Sequence, residues 1–334
     1  MELGNLKPVG RLYVAGVLLI HLLVVCNARD LILKGYPDFT IYYTAGTILR
    51  QGLGHTLYDD ALQFQVQKGF APQVATRMGA LPFNHPPFEA ILFVPLSYFP
   101  YRAAYLLWSL VNLAMLGALP ILLRPYVAIL RDWPAPAWTV VSLAFFPVFF
   151  ALLQGQDAIL LLFFYALAFV SWKKGRLAAC GAWLACGMFK FHFVLTLLLL
   201  LLIQEKRAHG RRKILAGFAA VGAVLLAVSI AAVGIKQIVL YPHYVLGLEK
   251  TSAGGAINPF DMPNLRGIVY LVAGDNRHFG LLAISLSVVV IVVAAWVSNL
   301  KISNLKISNL KISNLKISNL TITASTLPDS PGST

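Results

Sequence analysis

The apolar residues of this chain come in long blocks, not at the helical or strand spacing of a soluble core. The blocks cover about residues 12–28, 88–99, 103–123, 137–153, 158–171, 177–204, 214–234 and 281–297. A straight bilayer crossing takes roughly 20 apolar residues, and several blocks are shorter, so the pattern predicts about eight membrane segments with some extended into polar flanks or turning back. The block at 88–99 is the weakest candidate to cross, since Pro95 and Pro100 disfavour a continuous helix. The block at 177–204 is interrupted by "FKFHF" at 189–193. Its halves are expected to rise and return, with Lys190 near the turn. The fold class expected is therefore an all-α polytopic membrane protein.

Composition agrees. Hydrophobic residues make up 58 % of the 334 and charged residues 12 %, about half the charge of a soluble domain. The net charge of +14 does not imply nucleic acid, because the basic residues form no binding module. They cluster as "KKGR" at 173–176 and "KRAHGRRK" at 206–213, between apolar blocks, as cytoplasmic loops do. Lys7 and Arg11 precede the first block, which places the N-terminus inside and makes that block an uncleaved first span. Residues 29–86 and 235–280 then form outer loops. The cysteines, Cys26, Cys180 and Cys186, lie in or beside apolar blocks without metal-ligand spacing and are expected to pack. Residues 1–298 are expected to form the membrane domain. The tail at 299–334 carries the unit "LKISN" four times from Leu300. A period of five keeps no fixed face in a helix or a strand, so the tail is expected to be disordered.

The polar exceptions to the apolar pattern are few and gather on the outer side. Ionisable groups at membrane depth are costly and usually functional, and irregular backbone there is tolerated around a cavity. A cavity at the outer face is therefore expected. Asp38, in "PDFTIYYTAG", either caps the helix that follows or acts as a general base. A single base suits an inverting displacement, whereas retention would require a second carboxylate about 5 Å away. Asp30, Asp59, Asp60 and Glu89 are the nearby acids. His85 precedes two prolines in "FNHPPFEA" and either contacts a phosphate or sugar or simply sits at the interface. Gln156 and Asp157, in "QGQDA", either line a sugar site or cap the next helix. Lys190 between two phenylalanines either meets an anion or snorkels. Arg266 in "NPFDMPNLRG" either clamps a phosphate or meets lipid headgroups, with Asn264 shaping the turn.

The chain carries no Walker motif, dinucleotide glycine fingerprint or zinc-binding histidine pair. Neither a cofactor nor a metal is called for, and a nucleotide-sugar donor is disfavoured. A donor already in the bilayer, a sugar on a polyprenyl phosphate, fits better.

At these residues the sequence resembles glycosyltransferase family 87, polytopic enzymes of the GT-C class. The matching pieces are "DFTIYYTAGTILRQGLGHTLYD" at 38–59, "FNHPPFEAILFVPLSYFP" at 83–100, "GQDAILLLFFYAL" at 155–167, "GMFKFHFVL" at 187–195 and "PNLRGIVY" at 263–270. The resemblance implies a GT-C-like helix bundle with loops at the outer face. It implies inverting transfer of a hexose, often mannose, from a polyprenyl-phosphate donor on the non-cytoplasmic face of the cell membrane. The acceptor would be a glycolipid, a glycan or a protein. Asp38 corresponds to the family's key acid, followed by the aromatic pair Tyr42 and Tyr43 as substrate-binding residues. His85 stands where the family often has tyrosine. Lys190 corresponds to an intramembrane lysine, and Asn264 and Arg266 loosely to a late turn. The alternative readings are a transporter or flippase for a lipid-linked or anionic solute, or an inactive shortened membrane protein.

Overall fold

The computed structural model describes residues 8–35, 37–71 and 80–248, with further helical positions at 268–269, 271–272, 285–286, 288–290 and 293. The chain divides into two compact units, residues 1–258 and 259–334. The architecture below is that of the first. The pentapeptide tail and most of the block at 281–297 lie outside the described residues.

All regular structure among the described residues is helical. The helices are α1 (Pro8–Leu33), α2 (Phe39–Arg50), α3 (Asp60–Phe70), α4 (Pro87–Phe93), α5 (Tyr101–Leu123), α6 (Ala135–Ala144), α7 (Phe146–Gln154), α8 (Ala158–Lys173), α9 (Leu177–Cys186), α10 (Phe191–Gln204), α11 (Ala208–Val233) and α12 (Ile235–Leu248). Helices α1, α5 and α11 are each long and apolar enough to cross a bilayer. The broken pairs α6–α7 and α9–α10, bent by 81° and 66°, bring the number of candidate crossings among the described residues to five if each pair spans once. Only 11 % of the apolar window of α1 and of α11 is buried. So much uncovered leucine, valine and alanine is stable where lipid is the solvent. The chain is an all-α polytopic membrane protein.

The weak block at 88–99 is not a membrane-length helix. Helix α4 ends at Phe93 after seven residues, and a single 3-10 turn at Leu96–Tyr98 follows. Pro95 opens that turn and Pro100 precedes α5, where each fixes φ and removes a backbone donor. The α7–α8 turn meets Asp38 at the start of α2.

The tightest helix contact is α9 against α11. A Cβ added to Gly181 would run into the carbonyl of Ile214, and one on Gly217 into the carbonyl of Ala178. Small residues let backbones approach where no hydrophobic effect drives helices together. Helix α1 is tied to the α6–α7 break by His21, whose Nδ1 lies 3.1 Å from the Leu143 carbonyl and whose ring stacks on Phe149.

Replacing Gly181 by valine is expected to cost about 1–3 kcal/mol through overpacking and to lower the thermal unfolding midpoint in detergent. Gly222→Val is the control on α11 itself, because a Cβ there meets nothing within 4 Å. Equal midpoints for the two variants would show that the α9–α11 approach is not constrained.

Candidate active site

The site begins with a turn. Helix α7 ends at Gln154, and Gly155 adopts the left-handed conformation (φ 61°). The Gly155 amide donates to Leu152 and the Gln156 amide to the Ala151 carbonyl at 2.8 Å. This is the paired C-terminal motif in which glycine avoids the Cβ penalty. Two side chains of α5 satisfy further carbonyls of the turn. The Tyr105 hydroxyl donates to Leu153 at 2.8 Å and Trp108 Nε1 to Gly155 at 2.9 Å.

The turn throws Gln154 and Gln156 to either side of Asp38. The Asp38 amide donates to Gln154 Oε1 at 3.2 Å, and Gln156 Nε2 donates to Asp38 Oδ2 at 2.7 Å. Asp38 stands at the start of α2, but its side chain makes no capping bond to the helix. The capping alternative is thereby set aside. The same holds for Asp157 at the start of α8, whose side chain caps nothing and instead meets Lys190 Nζ at 3.2 Å. Lys190 reaches it from the short turn that breaks α9 from α10.

His85 is delivered by a loop that two fully buried glutamines of α3 hold in place. Gln63 donates to Leu57 and accepts from the Phe83 amide at 2.8 Å. Gln67 both donates to the Leu81 carbonyl and accepts from its amide. The Tyr58 hydroxyl donates to the His85 carbonyl at 2.7 Å. Pro87 at the first position of α4 is pre-set for a helix start. The imidazole packs edge-on against Tyr42, which in turn stacks on Phe93.

These elements enclose an open cavity of about 450 Å³, lined by Asp38, Tyr42, Asn84, His85, Gln156, Asp157, Lys190 and His192 with Ile41, Leu81, Pro82, Ala158 and Phe193. That is the size of a small-ligand site, with a few convergent polar groups. Tyr43 is not among the lining residues. Its hydroxyl donates to the Phe99 carbonyl at 2.8 Å, and its ring packs on Phe70 and Tyr101. Consecutive helical residues diverge by about 100° (3.6 residues per turn), so only one member of the aromatic pair can face the cavity. Asn264 and Arg266 lie outside the described residues.

Glu89 is the residue that sequence reasoning did not place here. It is fully buried on α4, one helical turn from His85, with Oε2 2.6 Å from His85 Nδ1. His85 Nδ1 is also 3.6 Å from Asp157 Oδ2. The signal for Glu89 was a lone acid in "PPFEAILF" spaced i, i+4 from a histidine. Burial, aided by the nearby Lys190 charge, holds His85 well below its ordinary pKa, so the imidazole is neutral. Burial also raises the carboxyls of Glu89 and Asp157, and Lys190 opposes both shifts.

The cavity sits at one end of helices α8 and α10. Their far ends lead into the basic stretches at 173–176 and 206–213. Tyr165, Ala168 and Trp172 of α8 share a groove with Leu197, Leu201 and Gln204 of α10, so the two run side by side. At 1.5 Å per residue, the 16 residues of α8 separate the cavity from the "KKGR" loop by about 24 Å.

The sequence profile of glycosyltransferase family 87 matches residues 83–305, more than half of the chain. The chain belongs to glycosyltransferase family 87. The matched stretch contains His85, Glu89, Gln156, Asp157 and Lys190, and begins after Asp38, Tyr42 and Tyr43. No curated protein and no solved structure matches the chain. Membership gives this membrane protein its reaction type, sugar transfer from a donor to an acceptor.

Tyr42→Phe and Tyr43→Phe separate the aromatic pair. If the cavity is where sugar transfer occurs, Tyr42→Phe lowers transfer, whereas Tyr43→Phe leaves it near normal and costs only about 0.5–1.5 kcal/mol of stability, the worth of one hydrogen bond. The check is initial transfer rate at matched protein level, with thermal midpoints measured in parallel.

Proposed function

We propose that this family 87 member is an inverting hexosyltransferase that takes a sugar, mannose by the resemblance, from a polyprenyl-phosphate donor. The acceptor is a hydroxyl of a glycolipid, glycan or protein at the non-cytoplasmic face of the cell membrane. The observation that carries this reading is the placement of Asp38. Its carboxylate faces the cavity, caps no helix, and is oriented by Gln156 through one oxygen, leaving the other for an acceptor hydroxyl.

The chemistry needs little else. The donor sugar's C1 bears a phosphate that leaves already ionised, so no general acid is required. Asp38 takes the acceptor proton as the hydroxyl oxygen attacks C1 from the face opposite the phosphate. The C1–phosphate bond breaks and the polyprenyl phosphate stays in the bilayer. Lys190, which lines the same cavity, offsets charge growing on the departing phosphate. The further carboxylates nearby are poorly suited to form a glycosyl-enzyme. Glu89 is fully buried, and Asp157 is paired with Lys190. That favours a single base and inversion over the paired acids of retention. The outer-face assignment is supported by the position of the basic stretches at the far ends of α8 and α10, since such stretches stay in the cytoplasm.

Asp38→Asn tests the reading. It keeps size and shape and removes the base, so turnover is expected to fall by roughly 10²–10⁴ while folding and donor binding persist. The assay follows radiolabelled sugar from polyprenyl-phosphate mannose into membrane acceptors, with donor binding measured separately. Near-normal turnover in the variant would remove Asp38 from the chemistry.

A further inference from the structure

Beneath the cavity lies a group of side chains that the proposed transfer does not use. His85, Glu89 and Asp157 each offer a ligand atom, all within 4.8 Å of one another. His85 is 6 % exposed, Glu89 0 % and Asp157 1 %. His85 Nδ1 and Glu89 Oε2 face each other at 2.6 Å, and Glu89 Oε1 and Asp157 Oδ2 are buried without a hydrogen-bond partner. A polar atom so placed costs free energy unless something satisfies it. The three residues come from two stretches of the chain, 85–89 and the head of α8, and one ligand atom from each lies within 4.8 Å of the others.

We propose that His85, Glu89 and Asp157 bind one divalent transition-metal ion, of the Mn²⁺ or Zn²⁺ kind, at the cavity floor, with its remaining coordination position open to a phosphate oxygen. One imidazole and two carboxylates form a donor set suited to such ions and less to Mg²⁺ or Ca²⁺, which favour all-oxygen sites. Tetrahedral ligands at 2.0–2.2 Å from one ion stand about 3.3–3.6 Å apart. The His85–Glu89 and His85–Asp157 distances are 2.6 and 3.6 Å and all three ligand atoms lie within 4.8 Å of one another, so side-chain rotations would close the site around an ion. His85 and Asp157 line the cavity, whereas Glu89 lies behind them, so the open side of a three-ligand site points toward the cavity.

The competing way to satisfy these atoms is a proton on Glu89. The phosphate part of the proposal rests on the transferase reading, but metal binding does not.

The test uses the full chain in lipid nanodiscs, stripped with chelator and titrated with Mn²⁺ while the free-ion EPR signal is followed. Saturable binding of one ion per chain is expected. Glu89→Gln and Asp157→Asn should each weaken it by roughly 10–100-fold, the scale of losing even an outer-shell partner. Lys190→Ala should tighten it, because a like charge is removed. Failure of the wild-type protein to bind one ion saturably overturns the site and leaves the proton on Glu89 as the explanation. This holds even if a variant does not fold. Binding unchanged in both carboxylate variants overturns it equally. Farnesyl phosphate then probes the open position, and Mn²⁺ should raise its affinity at least about tenfold, one charge-assisted contact. Mn²⁺ binding that leaves farnesyl phosphate unaffected overturns the phosphate part. Absence of sugar transfer both with and without Mn²⁺, with metal binding intact, would count against the transferase reading instead.

Discussion

The left-handed turn at Gly155 is the constraint on which the site depends. A Cβ at that position would press on Cβ of Phe39 at 2.8 Å, so α2 can sit against the α7–α8 turn only because the residue is glycine. The contact sets Asp38, one residue before Phe39, between Gln154 and Gln156. Segments more than 110 residues apart in sequence are thereby joined by two side-chain amides around one aspartate. The same turn starts α8 with Asp157, and through Asp157 it reaches Lys190 at the α9–α10 break. One backbone conformation thus assembles groups from three separate breaks in the apolar pattern.

Much of this was legible in the sequence, for a physical reason. In a bilayer, polar residues inside apolar blocks are too costly to be scattered, so Asp38, His85, Gln156, Asp157 and Lys190 stood out and could be expected on one side. The prolines at 95 and 100 likewise marked α4 as too short to cross. What could not be read was direction. Tyr42 and Tyr43 are equivalent in sequence, and only the phase of α2 decides that the first faces the cavity while the second bonds to Phe99. Whether Asp38 and Asp157 cap their helices was also undecidable, because a cap depends on backbone angles at the boundary residue. Glu89 was harder still. Its chemistry comes from full burial against His85 and Asp157, and burial of an acid is a tertiary fact that an apolar neighbourhood alone does not announce.

The buried groups and the cavity also divide labour between rigid and responsive parts. The α9–α11 approach through Gly181 and Gly217 fixes the bundle near the break that carries Lys190. Lys190 itself is only partly buried, at 27 % exposure, and its long side chain can follow a ligand. The carboxylates below it have no such freedom, since they are packed at α4 and at the head of α8.

The loop that carries His85 is fastened by a different chemistry from the site it serves. Gln67 uses both the donor and the acceptor of its amide on Leu81 of that loop, and Gln63 accepts from Phe83 while donating to Leu57. None of these groups gains or loses a proton in the range where proteins fold, and neutral pairs feel little of the screening that weakens exposed ion pairs. On the non-cytoplasmic face proposed for it, the site would meet acidity and ionic strength set by the surroundings rather than by the cell. A neutral fastening keeps the imidazole at one address while that medium changes, so any sensitivity of the site to its environment resides in the charged groups alone.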